Sequence, residues 1–299
     1  MFHTMRENRQ PVMETKRRRL LLGLIGSGIQ ASRTPAMHEQ EAAEHGLTCL
    51  YQPIDLDEPG RGPEALPELL SSAERLGFAG LNITHPCKQA VLPLLTDLSG
   101  DARALGAVNT VVLREGRRCG HNTDWVGFAA SFRQGLPDAS VRRVVQLGAG
   151  GGGAATAYAI LKAGAGHLTL IDRDASLSRA LAARCNSVFG EGRASASDDI
   201  AASLGGADGL IHATPTGMFG HPGMALPASL LRASLWVAEI VYFPLETEFL
   251  RAARAAGCRT LDGSGMAVHQ AAEAFRLFSG LEPDVARMHR HFVAMGQLR

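Results

Sequence analysis

Lysine is rare in this chain, and one lysine lies in a segment that could do acid–base chemistry. Of 30 basic residues only three are lysine: Lys16, Lys88 and Lys162. Arginine keeps its proton in practice, whereas the pKa of a lysine can be tuned so that it works as an acid or a base. In a chain whose basic residues are almost all arginine, a lysine is expected to remain where arginine cannot replace it. Chance survival suits Lys16 in the tail and Lys162 near a helix end, so Lys88 is the candidate.

Uncharged polar side chains gather with Lys88 where predicted strands end. They lie in Ser32-Arg33-Thr34, in residues 82–88, in residues 106–110 and in residues 120–124, where Asp124 adds a carboxylate. Hydroxyl and amide groups beside one lysine and one aspartate suit a small polyhydroxylated ligand. Each group could instead cap a helix or fix a turn, and for a single threonine such as Thr34 or Thr123 capping is as good an interpretation. Several clusters on one face favour binding.

A glycine-rich turn between two apolar runs predicts a second site. Residues 144–147 lead into Gly148-Ala149-Gly150-Gly151-Gly152-Gly153, and residues 168–171 end on Asp172, 19 residues after the last glycine. In a βαβ unit this pattern is typical of dinucleotide binding, because its glycines allow a tight turn and a close backbone approach to a pyrophosphate. The helix N-terminus then binds the negative charge. An ordinary glycine turn in an α/β sheet is the alternative.

The residue after the second apolar run bears on which dinucleotide binds. Asp172 favours NAD over NADP, because its carboxylate can accept a hydrogen bond from a ribose 2′-hydroxyl and would repel a 2′-phosphate. Arg173 weakens the argument, since an arginine there could accept that phosphate. NAD is therefore the expected cofactor and NADP the less favoured one.

Composition excludes several other classes of protein. The net charge of +1 gives no reason to expect nucleic acid or an anionic membrane as partner, and no apolar stretch approaches the length of a membrane span. The five cysteines are scattered, with no pair at metal-ligand spacing, so we expect no metal and a reducing cytoplasm. Residues 1–20 are expected to form a flexible tail before a first strand, rather than a secretory signal, because the apolar run breaks at Gly26-Ser27-Gly28.

Alternating strands and helices predict an α/β fold with parallel, doubly wound sheets and ligands at the carboxyl ends of strands. We expect two domains with the active site in the cleft between them. The N-terminal substrate domain covers residues 21–121 and is completed by helices in residues 257–299, and the C-terminal Rossmann domain covers residues 122–256. Residues 110–113 and 117–120 predict a hairpin at the edge of the first sheet.

Taken together the motifs resemble those of the shikimate dehydrogenase family, most of all its quinate/shikimate dehydrogenase branch, over nearly everything after residue 20. The motifs that carry this resemblance are Ser32-Arg33-Thr34-Pro35, Asn82-Ile83-Thr84-His85-Pro86-Cys87-Lys88, Gly106-Ala107-Val108-Asn109-Thr110, Asn122-Thr123-Asp124, Gly148-Ala149-Gly150-Gly151, Ala213-Thr214-Pro215-Thr216-Gly217-Met218, Val241-Tyr242-Phe243-Pro244-Leu245-Glu246-Thr247 and Asp262-Gly263-Ser264-Gly265-Met266 with Gln270.

The resemblance implies a catalytic pair, Lys88 and Asp124, that takes a proton from a substrate hydroxyl as hydride leaves for the nicotinamide. Such a role suits a lysine oriented by a carboxylate, although a plain ion pair between domains is the alternative. The residues implied around the substrate are Ser32, Thr34, Thr84, Lys88, Asn109, Asp124, Tyr242 and Gln270. Those implied around the cofactor are Gly148, Ala149, Gly150, Gly151, Gly152, Gly153, Asp172, Arg173, Thr214, Pro215, Met218 and Gly265.

The implied reaction is reversible NAD-dependent oxidation of shikimate, quinate or both. Thr34 is typical of quinate-accepting, NAD-preferring relatives, whereas strict shikimate enzymes tend to have serine there. An aminoshikimate or related cyclohexene-polyol dehydrogenase is the alternative, and a ligand-sensing regulator is a distant one. His212 departs from the family, which usually has asparagine before Ala213-Thr214-Pro215, and we interpret it as a tolerated strand-end residue. The partner is a small-molecule substrate, and the protein is expected to be a monomer or a homodimer.

Overall fold

The structure is a computed structural model that describes residues 19–58 and 62–297. The tail expected over residues 1–20 lies outside the described residues up to residue 18, while Arg19 and Leu20 already belong to the first strand. The described residues form two six-stranded sheets with helices packed on them. This confirms the predicted α/β fold with two domains. None of the described helices is long and apolar enough to span a membrane.

Strands and helices alternate along the chain and are numbered here in chain order. The strands are β1 (Arg19–Gly26), β2 (Thr48–Asp55), β3 (Gly80–Ile83), β4 (Asp97–Leu98), β5 (Thr110–Arg114), β6 (Arg117–His121), β7 (Arg143–Leu147), β8 (His167–Ile171), β9 (Ala194–Ala196), β10 (Gly209–His212), β11 (Trp236–Glu239) and β12 (Arg259–Leu261). The α-helices are α1 (Thr34–Glu44), α2 (Leu66–Arg75), α3 (Cys87–Ala90), α4 (Gly100–Leu105), α5 (Asp124–Gly135), α6 (Gly151–Lys162), α7 (Ala175–Phe189), α8 (Ile200–Leu204), α9 (Glu248–Ala255), α10 (Ser264–Ser279) and α11 (Val285–Gln297).

The first sheet is mixed, with strand order β2-β1-β3-β5-β6-β4. β1 runs parallel to β2 and β3, but β5 runs antiparallel to β3 and β6. The reversal is the predicted hairpin, whose loop residues Glu115 and Gly116 have φ of 53° and 71°, as a two-residue type I′ loop requires. The expectation of a parallel sheet is therefore wrong for this half, and the edge beyond the hairpin is formed by β4.

The second sheet is parallel throughout, with strand order β12-β11-β10-β7-β8-β9. The chain runs outward from β7 to β9 and then returns to β10 on the other side of β7. Ligands of open α/β sheets bind at such a reversal, beyond the carboxyl ends of the strands. Because β12 extends this sheet, the chain returns to the first domain with α10 and not at the expected residue 257.

Two elements join the domains. α10 covers the first sheet, where Ala274 and Phe278 pack with Leu22, Leu24 and Val112. α5 packs against both α10 and α6. Helix α5 therefore lies where the two domains meet.

Candidate active site

A lysine–aspartate pair lies where the domains meet. Lys88 is in α3, soon after β3, and Asp124 is the first residue of α5. Lys88 Nζ donates to Asp124 Oδ2 at 2.6 Å, and both side chains are largely buried. A β-carbon built on Gly151 of the second domain would lie 3.3 Å from Cδ of Lys88. The pair therefore faces the glycine-rich loop.

The carboxylate of Asp124 is held from its other side by Asn109. Asn109 Nδ2 donates to Asp124 Oδ1 at 2.8 Å and to Thr123 Oγ1 at 3.0 Å. Asn109 Oδ1 accepts the backbone N–H of Thr123 at 2.7 Å, which locks the amide orientation. Each oxygen of Asp124 thus has its own donor. Asn109, which was predicted to contact the substrate, instead directs its side-chain amide at Asp124.

A chain of buried hydrogen bonds extends this support into the first sheet. Tyr51 donates its hydroxyl to Asn82 Oδ1 at 2.7 Å, and Asn82 Nδ2 donates to Thr110 Oγ1 at 3.1 Å. Thr110 Oγ1 donates to Asn109 Oδ1 at 3.1 Å. Burial, with a smaller contribution from Cys49, raises the pKa of Tyr51, so its hydroxyl remains a donor. Sequence analysis missed Tyr51, because an aromatic residue in a strand predicts only packing.

The loop that carries Ser32 and Thr34 is organised by a carboxylate that sequence analysis also missed. Asp55, at the end of β2, accepts the backbone N–H groups of Gly28 at 3.1 Å and Ile29 at 3.2 Å. Burial alone would raise the pKa of Asp55, but hydrogen bonds from Asp57, Gly28 and Ile29 outweigh it and lower the pKa. Asp55 therefore stays charged and fixes the loop after β1. The signal in the sequence was an aspartate at a strand end, which a turn explains equally well.

Ser32, Thr34 and Thr84 stand on the adjacent loops after β1 and β3. Ser32 Oγ accepts the backbone N–H of Thr34, the first residue of α1, at 3.3 Å. A β-carbon built on Gly26 would lie 2.2 Å from Cγ2 of Thr84, so the two strand ends touch only because glycine stands at residue 26. Since β1 and β3 are parallel neighbours, these side chains share one edge of the sheet.

Gln270 and Tyr242 approach the pair from α10 and from the segment after β11. Thr123 Oγ1 donates to Gln270 Oε1 at 3.5 Å, which ties Gln270 to the same group as Asn109. The Tyr242 ring packs against Phe292 at 6.0 Å between centroids, and 38% of the residue is exposed. Desolvation of the phenol oxygen, reinforced by the charge of Asp124 and opposed by Arg33, raises the pKa of Tyr242. Its hydroxyl is therefore protonated at neutral pH.

The glycine-rich loop has the shape of a cradle for a phosphate group. Gly148 has φ of +99°, and a β-carbon there would lie 2.4 Å from the carbonyl oxygen of Ala213. A β-carbon on Gly153 would lie 2.3 Å from the carbonyl oxygen of Gly148, whereas one on Gly150 would meet nothing within 4 Å. α6 begins at Gly151 without a side-chain cap and without an acidic residue in its first turn. Open N–H groups at such a helix start bind anions, so the loop fits a pyrophosphate.

A buried glutamine braces this loop from below. Gln146 Nε2 donates to the carbonyl oxygens of Gly148 and Gly153, both at 2.8 Å, and its Oε1 accepts the hydroxyl of Thr156 at 2.9 Å. Three of the four hydrogen-bonding positions of this amide side chain are therefore used inside the protein. Sequence analysis missed Gln146, because a polar residue within an apolar strand carries no specific signal.

Asp172 and Arg173 lie at the end of β8, next to the loop. Asp172 Oδ2 accepts the backbone N–H of Ala149 at 2.7 Å, and Oδ1 accepts that of Asp174 at 3.0 Å. A carboxylate has about four lone-pair positions, so Asp172 keeps acceptor capacity while it holds the loop. Arg173 is exposed beside it.

The remaining predicted cofactor residues lie on two elements. Thr214, Pro215 and Met218 follow β10, and Cγ2 of Thr214 lies 3.1 Å from a β-carbon built on Gly148. Gly265 lies in the first turn of α10, where a β-carbon would meet Ser131 Oγ of α5 at 2.1 Å. Its smallness thus allows close helix packing. Among the described residues no group of three or more His, Cys, Asp or Glu side chains could hold a metal ion.

The fold and the site define a class of protein. A parallel sheet with a phosphate cradle at its reversal point, facing a lysine–aspartate pair and a rim of hydroxyl groups, is the arrangement of a two-domain dinucleotide-dependent oxidoreductase.

Comparison with known proteins identifies the family within this class. The model of the shikimate dehydrogenase substrate binding domain matches residues 24–111, and that of the shikimate 5′-dehydrogenase C-terminal domain matches residues 263–291. A shikimate dehydrogenase (NADP⁺) of Streptomyces avermitilis is 60% identical over 90% of this chain and 93% of its own length. A quinate/shikimate dehydrogenase (NAD⁺) of Corynebacterium efficiens is 51% identical over 92% of this chain and 98% of its own.

A solved structure agrees. Quinate dehydrogenase from Corynebacterium glutamicum, in complex with NAD, superimposes with a TM-score of 0.87 at 50% identity over 92% of this chain and 99% of that one. The chain therefore belongs to the shikimate dehydrogenase family of alcohol-oxidising enzymes, which confirms the resemblance seen in the sequence.

Proposed function

We propose that this protein catalyses the reversible, NAD-dependent oxidation of shikimate, quinate or both to the 3-dehydro acid. The observation that carries the proposal is the Lys88–Asp124 hydrogen bond of 2.6 Å at the cleft, between a phosphate cradle and side chains that suit a polyhydroxylated acid. The names of the relatives support the substrate class.

Lys88 is the group that moves the proton. In carbonyl reduction its ammonium gives a proton to the substrate oxygen and becomes an amine, and in oxidation that amine takes the hydroxyl proton of the substrate. Asp124 orients Nζ through Oδ2 and is itself fixed by Asn109 through Oδ1. When bound, the nicotinamide supplies the redox chemistry by exchanging a hydride with the substrate carbon.

The neutral polar groups around the pair bind and orient the substrate. Donors and acceptors that carry no charge can match hydroxyl groups in either direction. The residues proposed for this role are Ser32, Thr34, Thr84, Tyr242 and Gln270, whereas Asn109 holds Asp124. The loop of Ser32 and Thr34 is held by Asp55, so it is ordered before substrate arrives. Closure of the cleft would then exclude water from the reacting groups.

NAD is the proposed cofactor, on the strength of Asp172. The relatives carry both preferences in their names, NADP⁺ at 60% identity and NAD⁺ at 51%, so the carboxylate beside the loop is the observation that favours NAD. The Asp172→Ala variant should lower the ratio of kcat/KM with NAD to that with NADP about tenfold, the worth of a hydrogen bond to a charged group. Initial rates with each cofactor give that ratio.

A matched variant separates cofactor choice from loop integrity, since Asp172 also holds Ala149. Gln146→Leu loosens the loop from below without touching the ribose side. It should weaken both cofactors alike and leave the ratio unchanged. If Asp172→Ala and Gln146→Leu behave identically, Asp172 does not select the cofactor.

Initial rates with shikimate and with quinate, each with NAD and with NADP, test the function itself. Rates with NAD on either acid support the proposal, and rates on both identify a dual-substrate enzyme. Activity only with NADP overturns the choice of cofactor but not the reaction. If the folded protein binds NADH but oxidises neither acid, the choice of substrate is wrong. A related cyclohexene polyol is then the candidate substrate.

A further inference from the structure

A buried chain of four polar side chains crosses the second sheet and ends at the cleft. Thr247 Oγ1 donates to Glu239 Oε2 at 2.5 Å, Glu239 Oε1 lies 2.6 Å from His212 Nδ1, and His212 Nε2 lies 2.6 Å from Thr214 Oγ1. His212, Glu239 and Thr247 are fully buried, whereas Thr214 is half-buried. A hydroxyl, a carboxylate, an imidazole and a second hydroxyl are thus joined by consecutive hydrogen bonds.

The sheet and α9 build this chain. His212 and Glu239 are register partners on β10 and β11, so their side chains lie on the same face. Thr247 is the N-cap of α9, where its Oγ1 accepts the N–H of Leu250 at 3.1 Å. The Phe249 ring meets the imidazole edge-on at 5.1 Å between centroids. The imidazole is therefore held in one orientation.

The hydrogen-bond partners decide where the protons are. Thr247 Oγ1 already accepts from Leu250, so its own hydrogen goes to Glu239. Nδ1 of His212 faces a carboxylate and carries a hydrogen. In the neutral imidazole Nε2 is then an acceptor, and the Thr214 hydroxyl donates to it. Thr214 Oγ1 also accepts the N–H of Thr216 at 3.3 Å, so what it can offer the cleft is an acceptor lone pair.

The strand order shows which part of a dinucleotide Thr214 would meet. Asp172, directly after β8, lies on the adenosine side, and the glycine-rich loop after β7 lies at the pyrophosphate. Thr214 follows β10, on the opposite side of β7 from β8, next to Gly148. An extended dinucleotide across this edge places its nicotinamide half at β10.

We propose that His212 and Glu239 are positioning residues that present Thr214 Oγ1 as a hydrogen-bond acceptor to a hydroxyl or amide donor of the nicotinamide half. The inference rests on the proposed function for its ligand. It replaces the interpretation of His212 as a tolerated strand-end residue.

Two replacements of His212 separate its two hydrogen bonds. Asparagine reaches only to the position of Nδ1, so His212→Asn keeps a partner for Glu239 and loses Thr214. Glutamine reaches to the position of Nε2, so His212→Gln keeps a partner for Thr214. His212→Asn should weaken NADH binding about three- to tenfold, the worth of one hydrogen bond, and His212→Gln by less than about twofold.

Fluorescence titration with NADH and, separately, displacement by 5′-AMP measure these affinities. 5′-AMP lacks the nicotinamide half, so its affinity should not change in either variant. Thr214→Val should match His212→Asn, and the double variant should be no worse than Thr214→Val alone, because both remove one interaction. Thr247→Val, at the other end of the chain, should lower the melting temperature and leave NADH affinity intact.

The inference is overturned if NADH affinity is unchanged in His212→Asn, if 5′-AMP weakens equally, or if the effects of His212→Asn and Thr214→Val add. Should His212→Asn not fold, the comparison of Thr214→Val with Thr214→Ser, which restores the hydroxyl, decides whether an acceptor is presented there. These titrations need no turnover. Failure of the proposed reaction would appear separately, as inactive unaltered protein.

Discussion

Two lysine–aspartate pairs bridge the halves of this molecule, and their difference separates chemistry from architecture. Lys88 and Asp124 lie 2.6 Å apart with side chains 19% and 10% exposed. Lys162 and Asp101 lie 3.1 Å apart with side chains 45% and 35% exposed. Lys88 and Lys162 are the lysines of the described residues, and each has one carboxylate partner. The pairing itself therefore distinguishes nothing.

The surroundings of the second pair are those of a structural ion pair that links α4 to α6. Lys162 Nζ lies over the Trp125 ring at 4.5 Å, and Tyr158 donates its hydroxyl to Asp101 at 2.5 Å. Desolvation would lower the pKa of Lys162, but hydrogen bonds to Asp101 and Tyr158 outweigh it and raise the pKa. Lys162 thus stays protonated and serves no acid–base step at neutral pH.

The surroundings of the first pair suit the proton transfer that we propose for Lys88. Asp124 is fixed from behind by Asn109, and Lys88 faces the glycine-rich loop. On the proposed assignment, the two ion pairs differ in role because of the groups that hold each pair and the groups that each pair faces.

Removing the carboxylate charge from each pair in turn should give the largest difference in turnover between variants of the two pairs. Asp124→Asn should lower turnover about 10²–10⁴-fold, the usual worth of an acid–base group, because Lys88 loses the carboxylate that orients it. Asp101→Asn should leave turnover within about twofold, since exposed ion pairs contribute little. Steady-state rates of the two variants check this. Equal losses would mean that both pairs act only by holding the domains together.

The rates of these variants must be compared at a pH at which the folded state is stable. The buried His38 sets the lower limit of that pH range. His38 is fully buried, and neither ring nitrogen has a partner among the described residues. Burial lowers the pKa of His38 from 6.5 to about 3. Below pH 6.5 the unfolded chain therefore binds a proton that the folded chain refuses, so stability falls as pH falls toward 3.

At pH 5 this single group should reduce the free energy of unfolding by about 2 kcal/mol relative to neutral pH. Urea unfolding at both pH values measures the loss, and His38→Leu should remove most of it. An equal pH dependence in His38→Leu would show that other groups cause the loss.

Removing the hydrogen bonds that support each pair should show the same difference between the pairs, with smaller effects. Asn109→Ala removes the donor behind Asp124 and should lower kcat about tenfold. Tyr158→Phe removes the donor to Asp101 and should reduce stability by about 1 kcal/mol without a change in kcat. Steady-state kinetics and urea unfolding of both variants measure these effects. The contrast fails if Tyr158→Phe loses as much kcat as Asn109→Ala.

The sequence predicted elements and motifs well because their signals are local. Gly148–Gly153 and the apolar runs around it define a βαβ unit within one short window, and the hairpin loop at Glu115 and Gly116 follows from local turn chemistry. The mixed first sheet was missed, since alternation of strands and helices does not report the direction in which the hairpin joins the sheet.

The supports of the site could not be predicted, because they join residues distant in sequence through single polar contacts. Tyr51 reaches the pair only through Asn82, Thr110 and Asn109. Asp55, Gln146 and Glu239 end or interrupt ordinary strands, where a polar residue has many explanations. The rarity of lysine pointed to Lys88 but could not show that Lys162 also had an aspartate partner.

The most direct test of this account is the turnover of Lys88→Met set against that of Lys162→Met, with NADH affinity measured in both. We predict that Lys88→Met loses about 10²–10⁴-fold in kcat while it still binds NADH, and that Lys162→Met keeps its kcat. Near-normal turnover in Lys88→Met would contradict the assignment of proton transfer to Lys88. Its pair with Asp124 would then be a second structural ion pair.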